Sequence, residues 1–258
     1  MSSGGSRFSS VAGEAALLLG GGRALLLQLA EPRIAAGVAA HSAFKTDPLK
    51  RLVGTVTYLY VLAFGTDDEV ARIARTVGGA HRGVRGQAPV AYDARDVDLQ
   101  LWVAATLYES TVSTYQLFVR GLSDADADEL YAESARIGTA LGMPAAAWPA
   151  DRAAFAVEWD RILGSLEVSP EARNVAAELM RPSALPRGLG VVMGPVRLLT
   201  AGMLPPELRT GYGIRWTPRH QRRFDRLIRR VAGVYRRLPR VVRTLPARLI
   251  LRRFRATP

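Results

Sequence analysis

Two pairs of residues, Arg51 with Thr55 and His81 with Arg85, carry the side chains in this chain best suited to chemistry. Members of each pair are four residues apart, so on a helix they lie one turn apart on the same face. The first pair offers a cation and a hydroxyl, the second an imidazole and another cation. A buried iron porphyrin needs such a set: a nitrogen ligand for the metal, guanidinium groups for the propionates, and a hydroxyl near bound oxygen. The spacing suits that site without requiring it. His81 equally suits a plainer role, a core histidine bonded to a carbonyl, with Gly78, Gly79 and Gly83 fraying a helix end. Under the ligand reading the same glycines let a flat macrocycle approach the helix.

The elements that must position these residues read as helices. Ala24 to about Ala40 forms one, bent at Pro32. Asp47 and Pro48 open a helix to about Phe64 with Leu52, Val56, Leu59 and Ala63 on its core stripe. Thr66 with Glu69 forms a capping box for the next, whose stripe of Val70, Ile73, Ala74 and Val77 continues through His81 and Val84. Gly86 to Asp93 reads as a loop or short hairpin. Val97 to Val119 is apolar nearly all round, the mark of a central buried helix. Ser123 and Asp126 cap a helix reaching Gly142, Phe155 to Leu166 trace an amphipathic face, and Ser169-Pro170-Glu171 opens one more helix. The expectation is an all-α single domain of about eight helices.

Composition narrows the chemistry. A chain of 258 residues with 48% hydrophobic content can bury a large core. It has no cysteine, which excludes disulfides, thiolate-ligated haem, iron–sulfur clusters and a cysteine nucleophile; any haem would be held non-covalently. Neither a nucleophile elbow nor a phosphate-binding P-loop is present. The three histidines, His41, His81 and His220, are too scattered for a zinc site of the H-E-x-x-H kind. A non-haem iron triad of His41 and His81 with Glu109 or Glu133 would need the fold to bring them together. The apolar run Ala15–Ala30 is interrupted by Gly20, Gly21, Gly22 and Arg23 and is too short to span a membrane. The expected location is cytoplasmic, with peripheral contact at the inner membrane face, and residues 1–23 are expected to be a flexible lead.

Charge is unevenly spread. From Glu207 onward there are sixteen arginines against two acids, Glu207 and Asp225, while the whole chain carries +12 and residues 1–206 therefore a net −2. Within residues 219–238, Phe224, Leu227, Ile228, Val231, Tyr235 and Leu238 form an apolar stripe among arginines. Such a basic amphipathic helix lies in a membrane interface with its cations at anionic head groups. It equally packs on a core and leaves its charged face in water. Nucleic acid is the least favoured partner, because no recognisable binding fold is present and few aromatics are interleaved for stacking.

The run Asp47-Pro48-x-x-Arg51-Leu52-x-x-Thr55, then Phe64-Gly65-Thr66 and His81-Arg82-Gly83-Val84-Arg85-Gly86, resembles the MpaB-like oxygenase family. That family shares its catalytic domain with the latex-clearing rubber oxygenases. The resemblance continues through Leu101-Trp102-Val103-x-x-Thr106, Leu141-Gly142-x-Pro144 and Thr200-Ala201-Gly202-x-Leu204-Pro205-Pro206. It covers roughly residues 25–216, giving an expected catalytic domain at 24–216 and an Arg-rich appendage at 217–258. The resemblance implies a b-type haem in a distantly globin-like helical core, with His81 matching the axial iron ligand, Arg85 following it, and Arg51 and Thr55 on the oxygen-binding side.

The chain also departs from the rubber oxygenases. Gly54 stands where they carry a distal lysine, Ala35-Ala36-Gly37 where they carry an acidic residue proposed as a base, and Ala104 where the family often has a histidine. Rubber cleavage is therefore not expected. The resemblance implies instead an oxygenase or other oxidoreductase acting with dioxygen on a smaller apolar molecule or lipid. The competing class is a non-catalytic helical module whose arginine tail binds a membrane surface or another polyanion.

Overall fold

A single helix, Val97–Phe118, organises the molecule. The computed structural model describes residues 6–41, 48–180 and 190–257, with the side chains of 48–51 and 190–192 outside that description. In chain order the helices are α1 (Arg7–Ala12), α2 (Gly21–Leu29), α3 (Pro32–Ala40), α4 (Pro48–Phe64), α5 (Asp67–His81), α6 (Val97–Phe118), α7 (Asp124–Ser134) and α8 (Arg136–Thr139). They continue as α9 (Arg152–Ser165), α10 (Pro170–Met180), α11 (Gly190–Met203), α12 (Pro206–Gly211), α13 (Pro218–Tyr235), α14 (Arg240–Arg243) and α15 (Leu245–Arg255). A 3-10 helix, Ala15–Gly20, precedes α2, and two-residue strands β1 (Arg85–Gly86) and β2 (Tyr92–Asp93) form an antiparallel hairpin. The class is all-α as expected, with more and shorter helices than eight.

Helix α6 buries residues on every side, including Trp102, Ala104, Thr106, Leu107, Tyr108, Thr114 and Phe118. The 3-10 helix, α2 and α13 pack on it. On another flank Tyr108 meets Tyr131 of α7 and Phe155 of α9 edge-on, with centroids 5.3 and 5.1 Å apart. Trp102 stacks on Trp159 at 5.2 Å, joining α9 to a second apolar cluster built from α2, α3, α10 and α12.

Several local signals act as read. The Thr66–Glu69 capping box is formed in both directions, and Ser123 accepts from the Asp126 amide. Others differ. The helix expected over 24–40 is two helices, because Pro32 lacks the N–H an unbroken helix needs and its ring collides with the preceding turn. Pro32 instead starts α3, and Glu31 caps it by accepting from the Arg33 amide.

Two expectations about the chain ends do not match the described residues. Residues 7–12, read as part of a flexible lead, form α1, with Phe8 and Val11 buried and the Phe8 amide donating to Glu133 at 2.6 Å. The arginine-rich stretch is not an appendage: α13 lays Phe224, Ala232 and Tyr235 into the core against α6 and α11. Helix α15 packs on α4 and ties to α5 through Arg255 and Glu69 at 2.8 Å. Among the described residues, no helix is long and apolar enough to cross a membrane.

Candidate functional site

Helices α4 and α5 are joined by Gly65 and Thr66 alone, so they run back to back as a helical hairpin. At 1.5 Å of rise per residue, Arg51 on one helix and His81 on the other both lie about 20 Å from that turn, and Thr55 about 15 Å. Arg51 and Thr55 therefore lie in the first half of α4 and His81 at the end of α5, each well away from the turn that joins the two helices. Arg51 and Thr55 share a face of α4 one turn apart; the Arg51 side chain lies outside the described residues.

His81 is half-buried in the last turn of α5. The stripe before it is less buried than its periodicity implied, with Ile73 buried and Val70 and Val77 half-buried. The expectation that the helix continues through Val84 to Arg85 fails. Helix α5 ends at His81, the Val84 amide turns back onto the His81 carbonyl at 2.9 Å, and Arg85 is exposed on β1 opposite Asp93. The flexible Gly83 and the strand pairing compete with helical continuation and win. Val84 is apolar because it faces α3, where a Cβ on Gly37 would lie 3.5 Å from it.

Thr55 borders an apolar cavity of about 130 Å³ between α4, α2 and α6. Leu17, Ala24, Leu25, Leu107 and Ile137 give the walls; Gln28, Ser110 and Thr111 supply polar groups besides Thr55. His81 is not among the residues lining that cavity. The run Gly20-Gly21-Gly22, which interrupts the apolar stretch in sequence, makes this junction. A Cβ on Gly20 would lie 2.2 Å from the Thr114 hydroxyl, one on Gly22 2.3 Å from that of Thr200, and one on Gly21 3.2 Å from Leu52. Only glycine lets α2 approach α6, α11 and α4 together.

The open end of the hairpin can be tested for a macrocycle. Cβ atoms on Gly54, Gly78 or Gly83 would meet nothing within 4 Å, and Leu52 and Val53 are 41% and 51% exposed. The enclosed cavity is smaller than the ~300–1,000 Å³ usual for ligand sites, so a haem would have to use this open, apolar, glycine-bordered flank. The residue types that α4, α5 and the strand after α5 carry, one imidazole with arginines and a hydroxyl, fit the chemistry of the group.

The non-haem triad is not assembled. Among the described residues no cluster of three metal-binding side chains exists. His41 lies 3.4 Å from the Tyr92 hydroxyl, Glu133 accepts from the Phe8 amide, and Glu109 is occupied by Arg23.

Arg23 is the feature that sequence reasoning missed. Its side chain is 5% exposed and donates from Nε to the Met203 carbonyl (2.8 Å), from one terminal nitrogen to Ser110 Oγ (2.9 Å) and from the other to Glu109 (3.1 Å). Burial lowers its pKa, and the Glu109 charge opposes that shift. Because Ser110 also borders the cavity, Arg23 anchors the wall behind it. Its only trace in sequence is a lone cation in an apolar run.

A buried carboxylate, Glu14, accepts from the Tyr235 hydroxyl at 2.7 Å and lies 3.5 Å from Arg243. Burial, then Glu14, raises the Tyr235 pKa.

Comparison with known proteins bears directly on this arrangement. No solved structure matches the chain. Uncharacterized proteins of Mycobacterium bovis and Mycobacterium tuberculosis are each 39% identical to it over 212 residues, covering 79% of this chain and 83% of theirs. Residues 9–244 match the family described as "ER-bound oxygenase mpaB/B'/Rubber oxygenase, catalytic domain", a span that takes in most of α1, the hairpin and all of α13. The chain belongs to the MpaB/rubber oxygenase catalytic-domain family.

Proposed function

We propose that this member of an oxygenase family is haem b-dependent, with His81 as the iron ligand, and acts with dioxygen on an apolar small molecule or lipid. The observation that carries the reading is the open end of the α4–α5 hairpin. There α5 ends on the half-buried imidazole of His81, and α4 carries an open glycine, exposed aliphatic surface and Thr55, which borders an apolar cavity.

When bound, haem would supply an iron centre able to reduce dioxygen. The chain's residues would do the rest. His81 would hold the metal through one ring nitrogen. Arg51 and Arg85 would neutralise the propionates, a match guanidinium groups make well. Thr55 would present a hydroxyl proton at the cavity mouth, and Arg51 positive charge where negative charge develops. The aliphatic walls would accept the apolar part of the substrate and exclude water.

A cytoplasmic protein resting on an anionic membrane would meet such substrates there. Because the apolar stripe of α13 is used in the core, that contact would be electrostatic, through exposed arginines of residues 219–238, without insertion of the helix.

The test is the ultraviolet–visible spectrum of protein produced with a haem precursor, beside the His81→Ala variant. A Soret band that depends on His81 is the expected result. A wild-type protein that is helical but colourless overturns the proposal and leaves a helical module that acts through its charge.

A further inference from the structure

A cleft of about 1030 Å³ lies between α10, α11 and α13. Six arginines line it: Arg173 from α10, Arg197 from α11, Arg215 from the α12–α13 connection, and Arg223, Arg226 and Arg230 from α13. Among its described lining residues none is acidic, and none of the six arginines makes an ion pair with a described residue. Some surface arginines elsewhere are paired, as Arg152 with Asp128 at 2.5 Å and Arg161 with Glu158 at 2.6 Å, and others such as Arg252 and Arg253 stand exposed on a helix. What sets these six apart is their convergence on one concavity without an acid in its described lining. Concentrating one sign of charge in a concavity raises its potential and favours an anion there.

The floor is apolar. Leu198, Leu227, Tyr212 and Ile214 are half-buried in it, and the Trp216 wall is fixed by stacking on His220 at 5.7 Å and by Arg209 over its ring at 5.0 Å. An inorganic ion would leave this floor in water; a nonionic lipid would leave the arginines unanswered. We infer that the cleft binds an amphiphile with an anionic phosphate or carboxylate head, held by these arginines, and an apolar body laid on the floor. This does not rest on haem binding.

The experiment titrates the full-length protein calorimetrically with monomeric dodecyl phosphate, with inorganic phosphate and with the nonionic dodecyl maltoside. It is repeated on the Arg197→Gln/Arg223→Gln double variant. An Arg252→Gln/Arg253→Gln control removes the same charge from exposed positions on α15, outside the cleft. Dodecyl phosphate should bind more tightly than either other ligand. The cleft variant should weaken it by about tenfold or more, while the control changes it by less than about twofold. Circular dichroism checks that both variants keep their helices.

Equal weakening by both variants would reduce the effect to diffuse charge and overturn the inference. So would equal binding of the nonionic detergent or of inorganic phosphate, or no binding of dodecyl phosphate. Flotation with phosphatidylglycerol-containing phosphatidylcholine vesicles then identifies the source. Cleft-dependent flotation supports a bilayer head group, and binding of dodecyl phosphate without flotation supports a free amphiphile.

Discussion

The open end of the α4–α5 hairpin and the closed seam between early and late parts of the chain each set residues against their usual environment, apolar side chains in water at the one and charges in the core at the other. At the hairpin, Val53 is half in solvent, Leu52 is 41% exposed at the cavity edge, and glycines border empty space. At the seam, Glu14 and Arg23 are 5% and 4% exposed, and each is hydrogen-bonded across the fold. Charges buried so completely are tolerated only when paired. The contrast teaches where stability resides: the seam ties the scaffold together, and the hairpin flank adds little burial to it.

Breaking the seam should cost most. Arg23→Met leaves Glu109 only its Ser113 partner and removes three donors from one junction, so urea unfolding should show a loss of about 2–4 kcal/mol. Tyr235→Phe takes one donor from buried Glu14 and should cost about 1.5–3 kcal/mol in the same assay.

Tyr235 also predicts a pH response. Its folded pKa lies above the ordinary phenol value, and burial pushes Tyr60 and Tyr108 up to about 12. Above pH ~10 the unfolded chain releases phenolic protons that the folded protein retains, so stability falls as pH rises. This contribution should be intact below pH ~10 and decline up to pH ~12 in chemical denaturation, with a shallower fall in Tyr235→Phe.

At the hairpin, Val53→Ser, at a position 51% exposed and outside the cavity lining, should change stability by no more than about 0.5 kcal/mol. If it destabilised as much as Arg23→Met, the supposed open flank would be core, and the distinction between the two regions would vanish.

Sequence pattern revealed what local interactions decide. Thr66 with Glu69, Ser123 with Asp126 and Ser169 with its following turn are caps within three residues, and each forms. The central helix was legible because it is apolar on all sides. The Arg51–Thr55 face survives because it lies inside one helix. The His81–Arg85 face does not, since an apolar Val84 mimics helical periodicity while serving a hairpin contact with α3. Arg23 was opaque for another reason: Glu109, Ser110 and the Met203 carbonyl come from 86, 87 and 180 residues away. The stripe of α13 was visible too, but nothing local says whether protein or lipid covers it.

The Glu14–Tyr235 contact also orders events during synthesis. Its two partners are 221 residues apart, so the carboxylate leaves the ribosome long before the hydroxyl that will bury it exists. Until then Glu14 must stay in water, and the 3-10 helix beside it cannot dock fully on α6. Closure over so long a separation is entropically costly and slow. The nascent chain therefore reaches its final packing only when α13 arrives, and a ribosome stalled before that point would present a hydrophobic, half-assembled core to chaperones and proteases.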